Sequence, residues 1–347
     1  MTVDHSLYGP LDDVAADAGY LEHPPRVGFF TDTSVCIGCK ACEVACKEWN
    51  DVPEDGLNLL GMSFDNSGML GANTWRHVAF IEQEKPMGRQ DPGLAGLPVG
   101  PSATEQMTDV LALAMRQAER GGGELGTTPL DVKPPPDDLG MPSFDLPGAK
   151  TGEEGRTDFR WLMASDVCKH CTHAGCLDVC PTGALFRTEF GTVVVQQDIC
   201  NGCGYCVSGC PYGVIDRRPQ PDGRANKCTL CYDRLRDGLE PACAKACPTD
   251  SIQFGPLDEL RERAARRVEQ LRERGVEEAR LYGHDPNDGV GGNGAFFLLL
   301  DEPEVYGLPP DPVVPTRDLP NMWRCAAMAA GAFLAAGMAA FTGGARR

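Results

Sequence analysis

The sequence has few basic residues and lacks the features of several common protein classes. Its 347 residues include 32 lysines and arginines against 50 acidic residues, a formal charge of −18, which excludes nucleic-acid binding through a basic surface. The first twenty residues are acidic and mixed rather than basic and then apolar, so we expect no cleaved secretory signal. There is no nucleophile with a paired base and no phosphate-binding loop, so the sequence does not predict a catalyst acting alone.

Cysteine is the residue in excess. The chain has seventeen cysteines, and sixteen of them fall into four groups. The first and third groups have the spacing C-x2-C-x2-C-x3-C, the second opens its middle gap to four residues, and the fourth holds eleven residues between two pairs. The groups are Cys36, Cys39, Cys42 and Cys46; Cys168, Cys171, Cys176 and Cys180; Cys200, Cys203, Cys206 and Cys210; and Cys228, Cys231, Cys243 and Cys247.

This spacing predicts iron-sulfur clusters. In two-cluster ferredoxins three closely spaced cysteines bind one cluster, and the fourth, often followed by proline, binds the neighbouring cluster, so the groups are used in pairs. Four groups therefore predict four [4Fe-4S] clusters. Groups two and three are nineteen residues apart, with the strand-like residues 192–196 between them, and form one complete ferredoxin unit. Groups one and four are left to pair around that unit.

Other uses of these cysteines are weaker. The fourth group alone also resembles a zinc site, and a zinc-stabilised interaction module without redox function is the alternative from a different class. Disulfides are disfavoured because several thiols crowd into each turn. We interpret His170 and His173, which lie within group two, as ordinary loop or partner-contact residues rather than mixed ligands.

Several residues near the cysteines are expected to act on the clusters. We expect apolar residues to keep water away and tune the potentials; they are Ile37, Val44, Tyr205, Val207, Tyr212, Val214 and Ile215. Lys227, just before Cys228, either offsets local negative charge or is solvated.

The rest of the chain divides by composition. Residues 86–157 are rich in proline and glycine and form an insertion, with one short predicted helix in 104–120. Residues 256–275 predict an amphipathic helix with an apolar face. We therefore expect an N-terminal extension (1–30), the first part of a ferredoxin-like unit (31–85), the insertion (86–157), the main cluster domain (158–255), the amphipathic helix with a partner-contact tail (256–321) and a transmembrane helix (322–343).

The glycine run at residues 289–294 matches G-x-G-x-x-G but lies in the wrong context for a dinucleotide site. A Rossmann motif opens a helix, whereas the strand-like residues 296–300 follow this run. We do not expect it to bind a nucleotide.

The C-terminal residues 325–342 form an uncharged stretch long enough to span a membrane. Alanine and glycine dominate it, so a helix lying against the membrane or partner helices is the alternative. Two arginines flank each side of this stretch, Arg317 with Arg324 and Arg346 with Arg347. Because the two sides carry equal positive charge, the charges do not predict which end of the helix faces the cytoplasm. We interpret Cys325 as a small apolar helix residue rather than a lipidation site.

Four segments carry a family resemblance: CIGCKACEVACKEWND at residues 36–51, CNGCGYCVSGCP at 200–211, KCTLCYDR at 227–234 and PACAKACPT at 241–249. With LYGHDPNDGVGG, DEPEVYGLPPDP and the terminal helix, the chain resembles the four-cluster beta subunits of molybdenum or tungsten oxidoreductases, most closely the iron-sulfur subunit of respiratory formate dehydrogenase. The resemblance implies an α+β fold: two nested ferredoxin-like 2[4Fe-4S] units with a long Pro/Gly-rich insertion and a single C-terminal helix.

The resemblance also implies which cysteines share a cluster. Cys36, Cys39 and Cys42 would bind cluster 1 with Cys247, and Cys46 would bind cluster 2 with Cys228, Cys231 and Cys243. Cluster 3 would take Cys168, Cys171, Cys176 and Cys210, and cluster 4 would take Cys180, Cys200, Cys203 and Cys206.

The implied function is electron transfer without catalysis in this chain. A catalytic alpha subunit with a molybdenum or tungsten pterin cofactor would oxidise formate, and electrons would pass through this chain to a cytochrome b subunit and quinone or another acceptor. The subunit would lie at the cell membrane, facing outward and exported with its partner, with a cytoplasmic location as the alternative. A sulfur-compound reductase or hydrogenase complex is the alternative setting for the same relay. The long insertion and the short tail after the helix depart from the family pattern.

Overall fold

The computed structural model describes residue 9 and residues 11–55, 64–65, 67–86 and 157–344. Two compact units divide the chain, one formed by residues 1–80 and 163–347 and the other by residues 81–162. Most of the predicted insertion, including the predicted helix in 104–120, lies outside the described residues. In the second unit the structure describes only the ends of two paired strands.

The helices and strands are short except near the C-terminus. In chain order they are α1 (Val14–Asp17), β1 (Val27–Asp32), α2 (Ala41–Trp49), β2 (Arg76–Pro86), β3 (Thr157–Val167), α3 (Gly175–Asp178), β4 (Leu185–Arg187), β5 (Val193–Val195), α4 (Tyr205–Ser208), β6 (Asp216–Arg217), β7 (Ala225–Asn226), α5 (Tyr232–Arg236), α6 (Ala242–Lys245), β8 (Ile252–Pro256), α7 (Leu257–Glu273), β9 (Arg280–Tyr282), β10 (Ala295–Leu299) and α8 (Leu319–Gly344). Short 3-10 turns lie at Thr33–Val35 and Pro303–Tyr306.

A four-stranded sheet organises the larger unit, with the strand order β8, β1, β10, β9. β1 runs parallel to β10 and antiparallel to β8, and β9 is antiparallel to β10. Because β1 begins at Val27, it crosses the boundary expected between residues 30 and 31. The segment before group one is therefore part of the sheet rather than only an extension.

The two faces of this sheet pack against different parts of the protein. Alternate residues of a strand point to opposite faces: Phe30 and Phe296 pack with the apolar face of α7, whereas Phe29 and Ala295 pack with a core that contains Cys42, Cys168, Cys228 and Cys243. α7 buries five apolar residues, as the amphipathic pattern predicts. The sheet thus separates a helix layer from a cysteine layer.

Glycine allows the central strands to approach closely. A Cβ atom on Gly28 of β1 would lie 2.0 Å from the carbonyl oxygen of Gly294. That oxygen accepts a hydrogen bond of 2.8 Å from the amide of Phe29. A side chain at residue 28 would push apart the strand that carries Phe29 and the strand that follows Gly294.

The glycine run at residues 289–294 is a loop that packs against group two. The amide of Thr172 donates to the backbone oxygen of Gly292 at 3.0 Å, and the amide of His173 donates to the backbone oxygen of Val290 at 2.8 Å. Gly291 and Gly292 both have positive φ, and β10 follows the loop. The run supports the cysteine layer instead of opening a helix.

Candidate iron-sulfur sites

One cavity is surrounded by cysteines of groups two and three. Its wall includes Cys168, Cys171, Cys176 and Cys210, which we call site 3. The helices α3 and α4 approach each other at glycines, since a Cβ atom on Gly175 would lie 2.4 Å from the oxygen of Gly209. This contact brings the last cysteine of group three to the first three of group two.

The remaining cysteine of group two lies with group three, in a set that we call site 4: Cys180, Cys200, Cys203 and Cys206. Burial raises the pKa of Cys206 to about 11, and the thiols of Cys200, Cys203 and Cys180 add to this shift. Burial alone also raises the pKa of Cys180, but nearby backbone amides, led by that of Leu185, lower it below its ordinary value. Site 4 thus contains one thiol whose pKa is raised, Cys206, and one whose pKa is lowered, Cys180.

Groups one and four share a second cavity. The wall of this cavity includes Cys36, Cys39, Cys42 and Cys247, which we call site 1. α2, which follows the first cysteines of group one, packs against α6 of group four. The hydroxyl of Ser165, from β3, lies 3.2 Å from the Sγ of Cys42. Cysteines far apart in the sequence are thus brought together here.

The other cysteines of groups one and four form a buried set, site 2: Cys46, Cys228, Cys231 and Cys243. Burial raises the pKa of Cys46, and the thiols of Cys228, Cys243 and Cys231 raise it further. The side-chain amide of Asn50 lies 3.9 Å from the Sγ of Cys46 and 3.7 Å from that of Cys231. One amide therefore contacts thiols from both groups.

Neighbouring sites are linked by pairs of thiols. Burial is the largest cause of the raised pKa of Cys243, and the thiol of Cys42 adds to it. This influence links sites 1 and 2. The thiol of Cys168 raises the pKa of Cys228, and that of Cys206 raises the pKa of Cys176. The thiols of sites 1 and 2, of sites 2 and 3, and of sites 3 and 4 therefore influence one another electrostatically.

Comparison with known proteins identifies the family of this chain. Two family models described as 4Fe-4S dicluster domains match residues 35–184 and 159–257. The nitrate-inducible formate dehydrogenase iron-sulfur subunit of Escherichia coli K12 is 34% identical over 320 residues, which cover 90% of this chain and 83% of the relative. The formate dehydrogenase iron-sulfur subunit of Haemophilus influenzae is 35% identical and covers 84% of this chain and 72% of the relative. This chain belongs to the family of formate dehydrogenase iron-sulfur subunits.

The resemblance drawn from the cysteine segments is confirmed by these relatives. The family also extends to other reductases: the thiosulfate reductase electron transfer subunit of Salmonella typhi is 32% identical, over 66% of this chain and 74% of the relative. The mixed α/β content, the two dicluster domains and the C-terminal helix agree with the expected fold class. The nested arrangement, the domain boundaries and the assignment of ligands stay predictions.

The donor set of this iron-sulfur subunit fits a cluster. All seventeen cysteines are free thiols, and burial raises the pKa of most thiols in sites 2 and 3, including Cys171 and Cys228. Such thiols ionise only beside a strong positive charge, which an iron cluster supplies. In the described part of the chain no three His, Cys, Asp or Glu side chains lie close enough to hold one metal ion. The thiols instead surround spaces that suit a larger group.

The end sites of the subunit reach the surface. Cys39 of site 1 and Cys203 of site 4 are exposed, whereas all four thiols of site 2 are buried. Ile37 and Tyr205, expected to shield the clusters, are 57% and 60% exposed, and Val44 is similarly exposed. The shielding prediction is wrong for these three side chains because they lie on the outer side of the cysteine turns. It is confirmed for Val214 and Ile215, which are buried.

The two histidines of group two are internal. The Nδ1 atom of His170 accepts a hydrogen bond of 3.1 Å from the amide of Val193. Burial, followed by the charges of Lys227, Arg26 and Arg187, lowers the pKa of His170 well below its ordinary value. His173 is also buried, beside Gly291. Both histidines lie in the loop between β3 and α3, as the ordinary-loop interpretation expects, and their burial disfavours the alternative of a partner contact.

Sequence reasoning missed several residues that contact the cysteines. Ser165, Asn50 and Arg76 lie outside the four groups, and no spacing rule points to them. Lys227 was noticed through its position, and the structure decides between its two interpretations. Its ammonium group is buried and lies 3.5 Å from the Sγ of Cys168, so the solvated interpretation is wrong.

Proposed function

We propose that this subunit carries single electrons along four [4Fe-4S] clusters, from a formate-oxidising catalytic subunit with a molybdenum or tungsten pterin to a cytochrome b subunit and quinone or another acceptor. The supporting observation is that thiols of successive sites share apolar cores: Cys42, Cys168, Cys228 and Cys243 lie in one core, and Cys176 and Cys206 lie in another. Iron-sulfur clusters exchange one electron at a time when bound, and a series of them connects distant redox centres. The chain itself performs no bond chemistry.

In this proposal each site supplies the four thiolates of one cluster. In the competing arrangement, the four cysteines of each group bind one cluster by themselves. Geometry argues against that arrangement, because Cys247 lines the cavity of Cys36, Cys39 and Cys42. Cys210 likewise lines the cavity of group two. Each of the four groups then gives three cysteines to one site and one cysteine to a second site.

The exposed end sites fit contacts with partner proteins. Ile37 and Val44 lie beside site 1, and Ile199 and Tyr205 lie beside site 4, all with exposed side chains. Exposed apolar residues next to a redox centre let a partner approach closely and exclude water. We assign one end to the catalytic subunit and the other to the acceptor.

The C-terminal helix serves as a membrane anchor in this proposal. Residues Leu319–Phe341 are long and apolar enough to cross a membrane by length and composition. Large side chains such as Trp323, Phe333 and Phe341 are exposed, as lipid contact requires. We propose that the cluster domains lie on the extracytoplasmic side, exported with the partner subunit; a cytoplasmic location is the alternative.

A sulfur-compound reductase is the second candidate, because the thiosulfate reductase relative also belongs to this family. Formate dehydrogenase is favoured because the Escherichia coli relative matches 90% of this chain, against 66% for the thiosulfate reductase relative. The longer match includes more of the sequence outside the cysteine groups. The two candidates differ in the donor and acceptor and agree on the relay.

Anaerobic purification of the native complex tests the proposal. We expect about sixteen irons per chain and visible absorbance from the clusters. Formate should reduce the clusters and so produce their electron-spin signals. Zinc in place of iron, or a colourless protein, contradicts the relay. Oxidation of the reduced clusters by thiosulfate, with no reduction of the oxidised clusters by formate, favours the second candidate. Extraction of the complex without detergent contradicts the membrane anchor.

A further inference from the structure

Two buried cations occupy the spaces between successive sites. Arg76, on β2, and Lys227, just before group four, are each 2% exposed. Within the described residues neither forms an ion pair with a carboxylate, unlike buried Lys169, which pairs with Asp166. A buried charge without a counter-charge is strongly destabilising. Arg76 and Lys227 therefore need a source of negative charge close to them.

Arg76 lies beside a core that contains thiols of sites 1 and 2: its guanidinium group stacks on the ring of Phe29, which packs in one core with Cys42, Cys228 and Cys243. Burial by itself lowers the pKa of Arg76, but the thiols of Cys243, Cys42, Cys228 and Cys46 raise it above its ordinary value. Cys42 belongs to site 1 and the other three to site 2. One guanidinium group thus feels the negative charge of both sites whenever their cysteines are ionised.

The guanidinium group of Arg76 keeps donors available for these sites. Its Nη1 atom donates to the hydroxyl of Ser165 at 2.9 Å, and its Cζ lies 4.9 Å from the ring centre of Phe29. The Nε and Nη2 atoms are buried and have no hydrogen-bond partner among the described residues. Buried donors are normally satisfied, so these two N–H groups suit acceptors that a cluster and its thiolates provide.

Lys227 has the same relationship to sites 2 and 3. Its ammonium group donates to the Sγ of Cys168 at 3.5 Å, to the oxygen of Cys228 at 3.0 Å and to the oxygen of Val193. Burial by itself lowers the pKa of Lys227, but the thiols of Cys168, Cys176 and Cys228 raise it. Cys168 and Cys176 belong to site 3, and Cys228 belongs to site 2.

In the part of the chain that the structure describes, the junction between sites 3 and 4 lacks a buried cation of this kind, unlike the junctions between sites 1 and 2 and between sites 2 and 3. Cys176 of site 3 and Cys206 of site 4 meet there, and the leading contributions to the pKa of Cys206 come from burial and from other thiols. Among the described residues the fully buried lysines and arginines are Arg76, Lys169 and Lys227. Two of the three junctions therefore contain a buried cation without a carboxylate partner.

We propose that Arg76 and Lys227 set the reduction potentials of the clusters in pairs: Arg76 raises the potentials of clusters 1 and 2, and Lys227 raises those of clusters 2 and 3. Adding an electron makes a cluster more negative, and a fixed cation nearby stabilises that state. One cation shared by two clusters shifts both in the same direction. Cluster 4 receives the least of this stabilisation. The inference rests on the proposed relay.

Charge-removing variants in the native complex test this proposal. Arg76→Met and Lys227→Met keep an unbranched apolar chain and remove the charge. In potentiometric titrations followed by electron-spin resonance, with signals assigned through single cysteine variants, we expect the oxidised-to-reduced ratio at a fixed potential to rise on the order of tenfold, equivalent to about 59 mV, for the two flanking clusters. Arg76→Met shifts clusters 1 and 2, and Lys227→Met shifts clusters 2 and 3.

Lys245→Met is the matched control. Lys245 lies between Cys243 and Cys247, but its side chain is 72% exposed, so water screens its charge. We expect unchanged potentials in this variant. Shifts as large in Lys245→Met, or shifts spread equally over all four clusters in Arg76→Met and Lys227→Met, overturn the proposal.

Charge-keeping variants separate electrostatics from packing. If a methionine variant loses iron, Arg76→Lys and Lys227→Arg test whether the charge itself matters. Full iron content with potentials close to those of the unmodified complex supports the proposal. Loss of iron, or potential shifts as large as those of the methionine variants, overturns it. Failure of the proposed relay gives a different result, because the unmodified complex then lacks four clusters.

Discussion

The hydroxyl of Ser165 lies 3.2 Å from the Sγ of Cys42. The same hydroxyl oxygen accepts a hydrogen bond from Arg76, so its own proton is free to point at the sulfur. Ser165, which belongs to none of the cysteine groups, thus donates to Cys42 of site 1 when that cysteine is a thiolate. Hydrogen bonds to cluster sulfurs and their thiolates raise the reduction potential.

Ser165→Ala removes this donor while leaving all sixteen cysteines in place. We expect full iron content and a lower potential for cluster 1, by on the order of 1 kcal/mol, in titrations followed by electron-spin resonance. Ser208→Ala is the control, since the hydroxyl of Ser208 donates to the backbone oxygen of Tyr205 rather than to sulfur. Equal effects of the two substitutions would show that the bond to Cys42 has no electronic role.

Single cysteine variants test which residues share a cluster. We expect Cys247→Ala to remove the same spectroscopic signal as Cys36→Ala, and Cys210→Ala to remove the same signal as Cys168→Ala, because each pair lines one cavity. Cys325→Ala, at an exposed cysteine of α8, keeps the full set of signals. Loss of one signal by both Cys247→Ala and Cys228→Ala, with a different one lost by Cys36→Ala, contradicts the assignment.

Gly28→Ala tests the close approach of β1 and the chain before β10. The new Cβ atom would lie 2.0 Å from the oxygen of Gly294, so the strands must separate, at a cost of about 1–3 kcal/mol. We expect a lower temperature for the loss of visible cluster absorbance. Gly255→Ala is a matched control on the neighbouring strand: Gly255 pairs with Gly28, and its added Cβ meets nothing within 4 Å. Equal melting of both variants contradicts the steric explanation.

Asp65 gives the fold a dependence on pH. Its Oδ2 lies 2.7 Å from Nε2 of His77; burial alone raises the pKa of Asp65, but His77 and the amides of Gly68 and Ser67 lower it well below its ordinary value. The stabilisation is therefore complete above the unfolded pKa of about 3.9 and is lost as the pH falls through the lower folded value.

Asp65→Asn removes this stabilisation. We expect the variant to unfold at lower denaturant concentration at pH 7, followed by tryptophan fluorescence, and the difference from the unmodified chain to narrow as the pH falls below about 4. Asp237→Asn, at an exposed aspartate, is the control. A difference that stays constant down to acidic pH would contradict the role of the carboxylate charge.

The sequence predicts the elements that depend on local pattern. The spacing of Leu257, Leu260, Ala264, Val268 and Leu271 predicts α7, and the structure buries all five. The strand-like residues 192–196 and 296–300 correspond to β5 and β10. The cysteine spacing also identifies the family, because tight turns with three thiols have few other uses.

The sequence does not predict contacts made by residues distant from the motifs. Arg76 and Ser165 reach the cysteines only because β2 and β3 lie beside them in the fold, and neither residue has a recognisable spacing. The exposure of Ile37, Val44 and Tyr205 was also not predictable, since the turn that directs three thiols inward directs the residues between them outward. Burial within the chain, rather than residue type, decides the environment of His170.

The crossed use of groups one and four bears on how the chain is made. Cys36, Cys39 and Cys42 leave the ribosome early, yet the cavity that they line gains its fourth cysteine only with Cys247. Synthesis must pass beyond that residue before this pocket closes, whereas the pocket of Cys168 closes once Cys210 has emerged. The order of synthesis therefore completes the cysteine set of the Cys168 pocket first, at a point where the Cys36 pocket still lacks Cys247.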